Sequence, residues 1–449
     1  MLKKHLLFLT VILLAFALVI TGCSTEKETT TEPTGADTTQ PDEGSDEGSD
    51  EASDGPAEFT GFSSIEEAAV SANWAPYFPA QYATWTQTKE LQTTTYGGAL
   101  DDNGELQDYL TIYPFLKTNY AGFAFSIDYN RSRGHMYALT SVNETGRLPD
   151  WENQRRAACL SCKSTDVVVG MDKYGDDFWG KPYADVVGEN TIGCLDCHDQ
   201  NDGSSLNVPR DYVFEALDHG GYTNDPRDRA DLTCAQCHVN YHFDAETTKI
   251  TFPWSTGMTV EAQLEHYNAE RRSDEWEHAI TGALIAKIQH PEYELYYEGK
   301  ELSVHAQMGV GCNDCHMPTL TDENGNEFTS HQKMSPLLHV EQSCLSCHGT
   351  MSADELVART EGVQKDVYEK QNRIGYELEE FINKVGAKVE DGSLAGAELE
   401  EIQAIHREAQ FYWDFVWVEN SNGFHNSKEA HRILDNADAL VQKGIELLN

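Results

Sequence analysis

Apolar and polar positions divide the chain into four stretches of different texture. The first is an apolar run from Leu6 to Ile20, preceded by Lys3 and Lys4 and closed by Ile20-Thr21-Gly22-Cys23. It is too short to span a bilayer and ends in a small-residue processing site. It predicts a signal removed over residues 1–22 and export beyond the cytoplasmic membrane, to the periplasm or the cell surface. A cysteine at the cleavage point predicts lipid attachment at Cys23 and so a membrane contact. The second stretch, residues 24–57, holds no aromatic and no large aliphatic residue. It cannot bury enough apolar surface to offset its ordering entropy, which predicts a disordered acidic linker over 23–57.

Folded structure should begin near Phe59, in one domain over 58–449 with two parts, 58–350 and 351–449. In the first part aromatics, glycines and short mixed segments alternate without long periodic runs. Val167-Val168-Val169 and Lys249-Ile250-Thr251-Phe252 read as short strands, and no extended sheet pattern appears. The second part is strongly helical. Ser352-Ala353-Asp354-Glu355 forms a capping box ahead of a helix to about Val389, and Asp391-Gly392-Ser393 breaks it. A second helix is predicted from Ala397 to about Glu419, with Leu399, Ile402, Ile405, Ala409, Tyr412, Trp413 and Val416 on its apolar side. A third starts near Ser427. The fold class is mainly α, with few short strands and long C-terminal helices.

Charge narrows the partners. The 449 residues carry 32 Lys+Arg against 75 Asp+Glu, a formal net charge of −43. Nucleic acid is excluded as a partner by that balance.

Cysteine spacing changes the picture most. Of 11 cysteines, all but Cys23 fall into Cys-x-x-Cys pairs: Cys159/Cys162, Cys194/Cys197, Cys234/Cys237, Cys312/Cys315 and Cys344/Cys347. In four of the five a histidine follows directly: His198, His238, His316 and His348. Cys-x-x-Cys-His attaches c-type haem: two thiols add to the porphyrin and the histidine binds the iron. Zinc sites would call for paired motifs with matched spacers, and five pairs is an odd number. Five covalent haems are therefore expected. Four of them need a second axial ligand, and with His5 in the signal, 12 of the 17 histidines are candidates. Spacing alone does not choose among them. The fifth motif is Cys159-Leu160-Ser161-Cys162-Lys163, in which lysine takes the histidine position. A neutral lysine amine can bind iron, and a haem with an unusual proximal ligand is one set aside for chemistry at an open face.

CLSCK followed by four CxxCH motifs resembles the ammonia-forming pentahaem cytochrome c nitrite reductases. The likeness extends through Arg133-Gly134-His135, Gln289-His290-Pro291-Glu292, His305 to Val310, Glu419-Asn420-Ser421 and Gly423-Phe424-His425. It implies a multihaem cytochrome c fold and the reaction NO2− + 8 H+ + 6 e− → NH4+ + 2 H2O at the Lys163 haem, fed by four bis-histidine haems. It also implies the distal ligands: His135 for the CAQCH haem, His331 for CLDCH, His305 for CLSCH and His425 for CNDCH. By local match, Arg147, Tyr241 and His290 form the substrate pocket. A guanidinium and an imidazole suit an anion, and histidine and tyrosine can relay protons.

The resemblance further implies a homodimer through the C-terminal helices and a membrane-bound multihaem quinol dehydrogenase as electron donor. Relatives place a calcium ion against residues that match Asn240, Tyr241, Lys287 and Gln289. Here asparagine stands where they have glutamate, which puts calcium in doubt because affinity follows ligand charge. Two other functions compete. An electron-transfer cytochrome accounts for four haems but not for Lys163, and a reductase acting mainly on hydroxylamine or sulfite would use the same pocket.

Overall fold

The computed structural model describes residues 56–101, 103–147, 155–222, 229–269, 272 and 275–449. The leader, Cys23 and the linker as far as residue 55 lie outside the described residues. Three long helices close the chain: Ala353–Glu390, Ala397–Trp417 and Ser427–Leu447. The first opens on the expected capping box. The Glu355 amide donates to Ser352 Oγ at 3.3 Å, and the Ser352 amide to Glu355 Oε2 at 2.8 Å. Such a cap contributes about 1 kcal/mol. The helix stops where Gly392 takes a φ of +75°, a conformation that favours glycine. Val367, Ile374, Leu378, Phe381, Ile405, Trp413, Val416, Ile433 and Val441 bury the shared core of the three helices. Phe115 joins it from the first part of the chain. Its ring lies so close to the first helix that a Cβ at Gly375 would meet it at 2.7 Å.

Strands are few. His242–Phe243 pairs with Ile250–Thr251, Glu275–Glu277 with Leu284–Ala286, and Thr319–Thr321 with Glu327–Thr329, all antiparallel. The strand expected around Ile250 is one of these. Val167–Val169 is not a strand: it lies in the helix Asp166–Tyr174. A run of three valines cannot by itself separate a buried strand from a buried helical turn. Here Val167, Val168 and Gly170 are buried on a helical face, with Phe178 packed against Gly170.

A second core, containing Leu160, Val167, Phe178, Trp179, Val213, Val239 and Trp254, surrounds the first and third cysteine motifs. A third, of Phe59, Phe62, Trp74 and Phe78, covers Leu195 of the second motif. The three motifs are joined by one buried guanidinium. Arg210 Nε donates to Ser161 O at 2.6 Å, Nη1 to Gln236 Oε1 at 3.2 Å, and Nη2 to Ser164 O at 3.2 Å and Asp196 Oδ1 at 2.6 Å. Ser161, Asp196 and Gln236 are the inner residues of CLSCK, CLDCH and CAQCH. Gln236 Nε2 returns a bond to Asp196 O at 2.7 Å. Asp231 continues the series: it accepts the Cys312 amide at 2.9 Å, tying the CNDCH loop to the helix Arg229–Ala235 that carries Cys234.

Removing one partner of a buried ion pair typically costs about 3–5 kcal/mol, because the other charge stays buried. Arg210→Met is therefore expected to lower the melting temperature by several degrees, and adding Asp196→Asn should recover part of the loss. No recovery in the double variant would sink the account.

A second prediction concerns acid. His278 is fully buried; its Nε2 donates to Thr118 O at 2.9 Å while Nδ1 accepts the amides of Ile280 and Thr281. Burial pushes its pKa down to about 4. The unfolded chain takes up this proton near pH 6.5, the folded chain only near 4. The stabilisation is complete above pH 6.5 and falls by about 3 kcal/mol as the pH drops to 4. His278→Gln should flatten melting temperature against pH in that window, and an unchanged slope would refute the assignment.

Candidate haem and substrate site

A cavity of about 1930 Å³ is lined by residues of both parts of the chain. Well-packed interiors contain few voids larger than a water molecule, and a large engineered cavity is about 150 Å³. This one is lined by every motif cysteine except Cys159, by His135, His198, His238, His290, His305, His316, His331, His348 and His425, and by Lys163, Arg147 and Tyr241. All ten motif cysteines are unpaired.

The histidines face one another in pairs. Ring centres are 6.3 Å apart for His135 and His238, 5.9 Å for His198 and His331, 6.2 Å for His316 and His425, and 6.2 Å for His305 and His348. A metal bonded at roughly 2 Å to a nitrogen of each ring, with about 1 Å more from nitrogen to ring centre, separates two imidazoles by about 6 Å. Five thiol pairs with four facing imidazole pairs fit covalently attached haem. The motif cysteines would hold it, and the facing rings would take the iron from both sides.

Hydrogen bonds on Nδ1 orient ligand imidazoles. His316 Nδ1 lies 2.8 Å from Met334 O and His331 Nδ1 2.9 Å from Thr329 O. His425 Nδ1 is 2.6 Å from Glu419 Oε1. Glu419 is itself held by the amides of Ser421 and Gly423 and the Ser421 hydroxyl. His238 has a second neighbour, His290, at 6.4 Å between centres. Between those two rings lies Glu292, with Oε2 3.6 Å from His238 Nδ1 and Oε1 3.8 Å from His290 Nδ1. A carboxylate bridges this pair, which sets it apart from the four others.

Lys163 ends the first motif, its amide donating to Leu160 O at 2.8 Å. Its side chain lines the cavity with His290 and His135. Arg147 lies with its guanidinium 4.2 Å above the Phe125 ring. The loop that carries it is pinned by Asp128, which accepts the Thr145 hydroxyl at 2.8 Å and the Gly146 amide at 2.7 Å. Burial disfavours the charged form of Arg147, and Tyr129, Asp128 and Tyr241 offset this. His290 is likewise lowered by burial, with Glu292 opposing. The structure thus brings Lys163, Arg147, Tyr241 and His290 to one cavity. Arg155, Arg210 and Lys333 escaped the sequence reading, and Glu292 and Glu419 stood in the matching stretches without a role. Arg155 is buried in the same region, donating to Thr145 O at 3.5 Å. Its sequence signal, a second arginine before the motif, is weak.

The side chains of Asn240, Tyr241, Lys287 and Gln289 offer calcium no carboxylate. Asn240 Oδ1 is taken by the Gln289 amide at 3.0 Å, and Nδ2 donates to Gln263 Oε1 at 2.8 Å. Lys287 turns its ammonium to Asp414, 2.9 Å from Oδ2. Calcium sites draw on anionic oxygens, and this set contains no carboxylate. Among the described residues no group of three or more His, Cys, Asp or Glu could hold a metal ion.

The family model for cytochrome c552 matches residues 71–449. Cytochrome c-552 of Bacteroides fragilis strain YCH46 is 33% identical over 395 residues, covering 84% of this chain and 75% of that protein. Cytochrome c-552 of Porphyromonas gingivalis strain W83 is 33% identical over 390 residues, covering 82% and 74%. Among solved structures, the cytochrome c nitrite reductase of Desulfovibrio desulfuricans ATCC 27774, whose catalytic subunit has two calcium sites, superposes with a TM-score of 0.75. It is 27% identical and is covered to 86%, as is this chain. With facing imidazole pairs, five thiol pairs and a family match over residues 71–449, the chain belongs to the cytochrome c552 family of multihaem c-type cytochromes.

Proposed function

We propose that this protein reduces nitrite to ammonium at a haem attached to Cys159 and Cys162 and ligated by Lys163. One observation carries the reading. Four motif histidines each face a second imidazole, whereas the lysine motif opens on the cavity that also receives Arg147, Tyr241 and His290. Bound haem would supply electrons and a metal to hold the anion. Arg147 attracts nitrite and stabilises negative charge in a site screened from water. With its Nδ1 turned to Glu292, His290 leaves Nε2 for the pocket, where it and the Tyr241 phenol deliver protons. Likeness to the Desulfovibrio enzyme supports nitrite over hydroxylamine or sulfite as the main substrate.

The same reading takes a membrane-bound multihaem quinol dehydrogenase as donor and a homodimer through the C-terminal helices, where Tyr376 and Val389 are exposed on Ala353–Glu390. Lipid at Cys23 would hold the protein at its membrane outside the cytoplasm. Among the described residues no helix is long and apolar enough to cross a bilayer. The neutral bonding of Asn240 supports a protein that works without calcium at this position.

Ferric protein is expected to show one high-spin haem among five by magnetic resonance, and nitrite-dependent oxidation of a reduced dye that exceeds turnover of hydroxylamine and sulfite at equal concentration. Five low-spin haems without turnover would refute the proposal. Lys163→His should keep its haem and lose at least roughly tenfold in turnover, a barrier increase of about 1.4 kcal/mol; unchanged activity counts against the lysine. Adding calcium, or removing it with a chelator, should leave the melting temperature within about 1 °C, since only an ion bound to the native state shifts it. A calcium-dependent rise would overturn that part.

A further inference from the structure

Glu292 uses its two carboxylate oxygens differently. Oε1 accepts both the backbone amide of Asn420, at 3.2 Å, and its side-chain amide. Anchoring the start of the helix Glu292–Tyr297 to the segment 419–425 needs no more than that. Oε2 is buried and makes no hydrogen bond among the described residues. It points toward His238 Nδ1, 3.6 Å away, while His290 Nδ1 lies 3.8 Å from Oε1. The residue is only 7% exposed. A carboxylate so placed leaves one oxygen without a structural use, and two imidazoles are what it faces.

We propose that Glu292 is a positioning residue shared by the pocket and the electron supply. It orients His290 toward the substrate and, with the same charge, sets the reduction potential of the haem ligated by His238. The proposal rests on the reading of His290 and His238 given above. Carboxylates behind ligand imidazoles fix the tautomer with hydrogen on Nδ1, leave Nε2 for the metal and make the ring a stronger donor. A stronger, more anionic ligand favours the oxidised metal and lowers the potential. The haem in question is the neighbour of the Lys163 site: Arg210 bonds both Ser161 of the lysine motif and Gln236 of CAQCH. One carboxylate therefore lies 3.8 Å from the ring that would hand over protons and 3.6 Å from the ligand of the haem that would hand over electrons. Its anchor, Asn420, adjoins Glu419, which backs His425 of the CNDCH site.

Glu292→Gln keeps the shape and removes the charge. In a spectroelectrochemical titration of the holoprotein, one low-spin haem should move to more positive potential. The expected change is about tenfold in its reduction equilibrium, or about 59 mV for a one-electron couple. Nitrite kcat should fall several-fold with KM changed less than twofold. Five unshifted potentials in a fully haem-loaded variant overturn the proposal whatever the activity. Should Glu292→Gln fail to load haem, Asn420→Ala, which removes only the side-chain anchor, is the second measurement. It should shift the same haem in the same direction by less, and no shift overturns the proposal. Absence of nitrite turnover in the unaltered enzyme would refute the proposed function, and the potential shift still decides the role of Glu292 at His238.

Discussion

The placement of three attachment loops depends on one buried guanidinium. Arg210 has no water to solvate it, so its charge is tolerable only when Asp196 and the carbonyls of Ser161 and Ser164 are all in place. Asp196 in turn accepts the Gly193 amide and the Thr165 hydroxyl. None of these bonds can form well with any of the loops displaced. The ion pair adds little net free energy over a packed apolar core, but it makes misplaced loops costly. Asp231 extends the same logic to the fourth motif. The fifth lies outside the network, with Cys347 and His348 exposed and His305 reaching it from the short helix Val304–Gln307.

Local signals in the chain were legible where the physics is local. The capping box at Ser352, the break at Gly392 and the apolar face from Ile402 to Val416 all lie within a few turns of their causes, and the structure places them as expected. Val167–Val169 went astray because β-branching is a weak local preference that packing against Phe178 outweighs. Motif cysteines announce themselves by spacing. The partners of the motif histidines do not: His331 and His425 are ordinary histidines in sequence, and only likeness to a family picked them out. Arg210 was not singled out at all, and Glu292 and Glu419 appeared only as members of matching stretches, without a role. The roles of Arg210 and Glu292 arise largely from contacts between residues distant in sequence, 14 positions for Arg210 with Asp196 and 128 for Glu292 with Asn420, where no periodicity reports.

Charge is distributed against its own average. A chain with formal net charge −43 lines its central cavity with Arg147, Lys163, Lys287 and Lys333. Lys287 is neutralised by Asp414 and a ligating Lys163 is neutral, so Arg147 and Lys333 carry the positive charge of this set. An anion approaching such a molecule is repelled by the bulk and attracted at close range, and salt that screens the exterior leaves the buried part less affected. This combination suits a small anionic substrate better than a large one, which would meet the outer field over more of its surface.

The thiols themselves favour an order of assembly. Cys162 and Cys237 are near enough to act on one another's ionisation, as are Cys234 and Cys312, each time a cysteine of one motif against a cysteine of another. A chain that closed this fold with bare thiols would hold reactive sulfurs from different loops side by side, and an oxidant would stitch the wrong loops together. Once each sulfur is capped by its thioether that reaction has no substrate. Haem attachment before final folding would avoid that reaction, and the compact state would then serve as a seal on work already done.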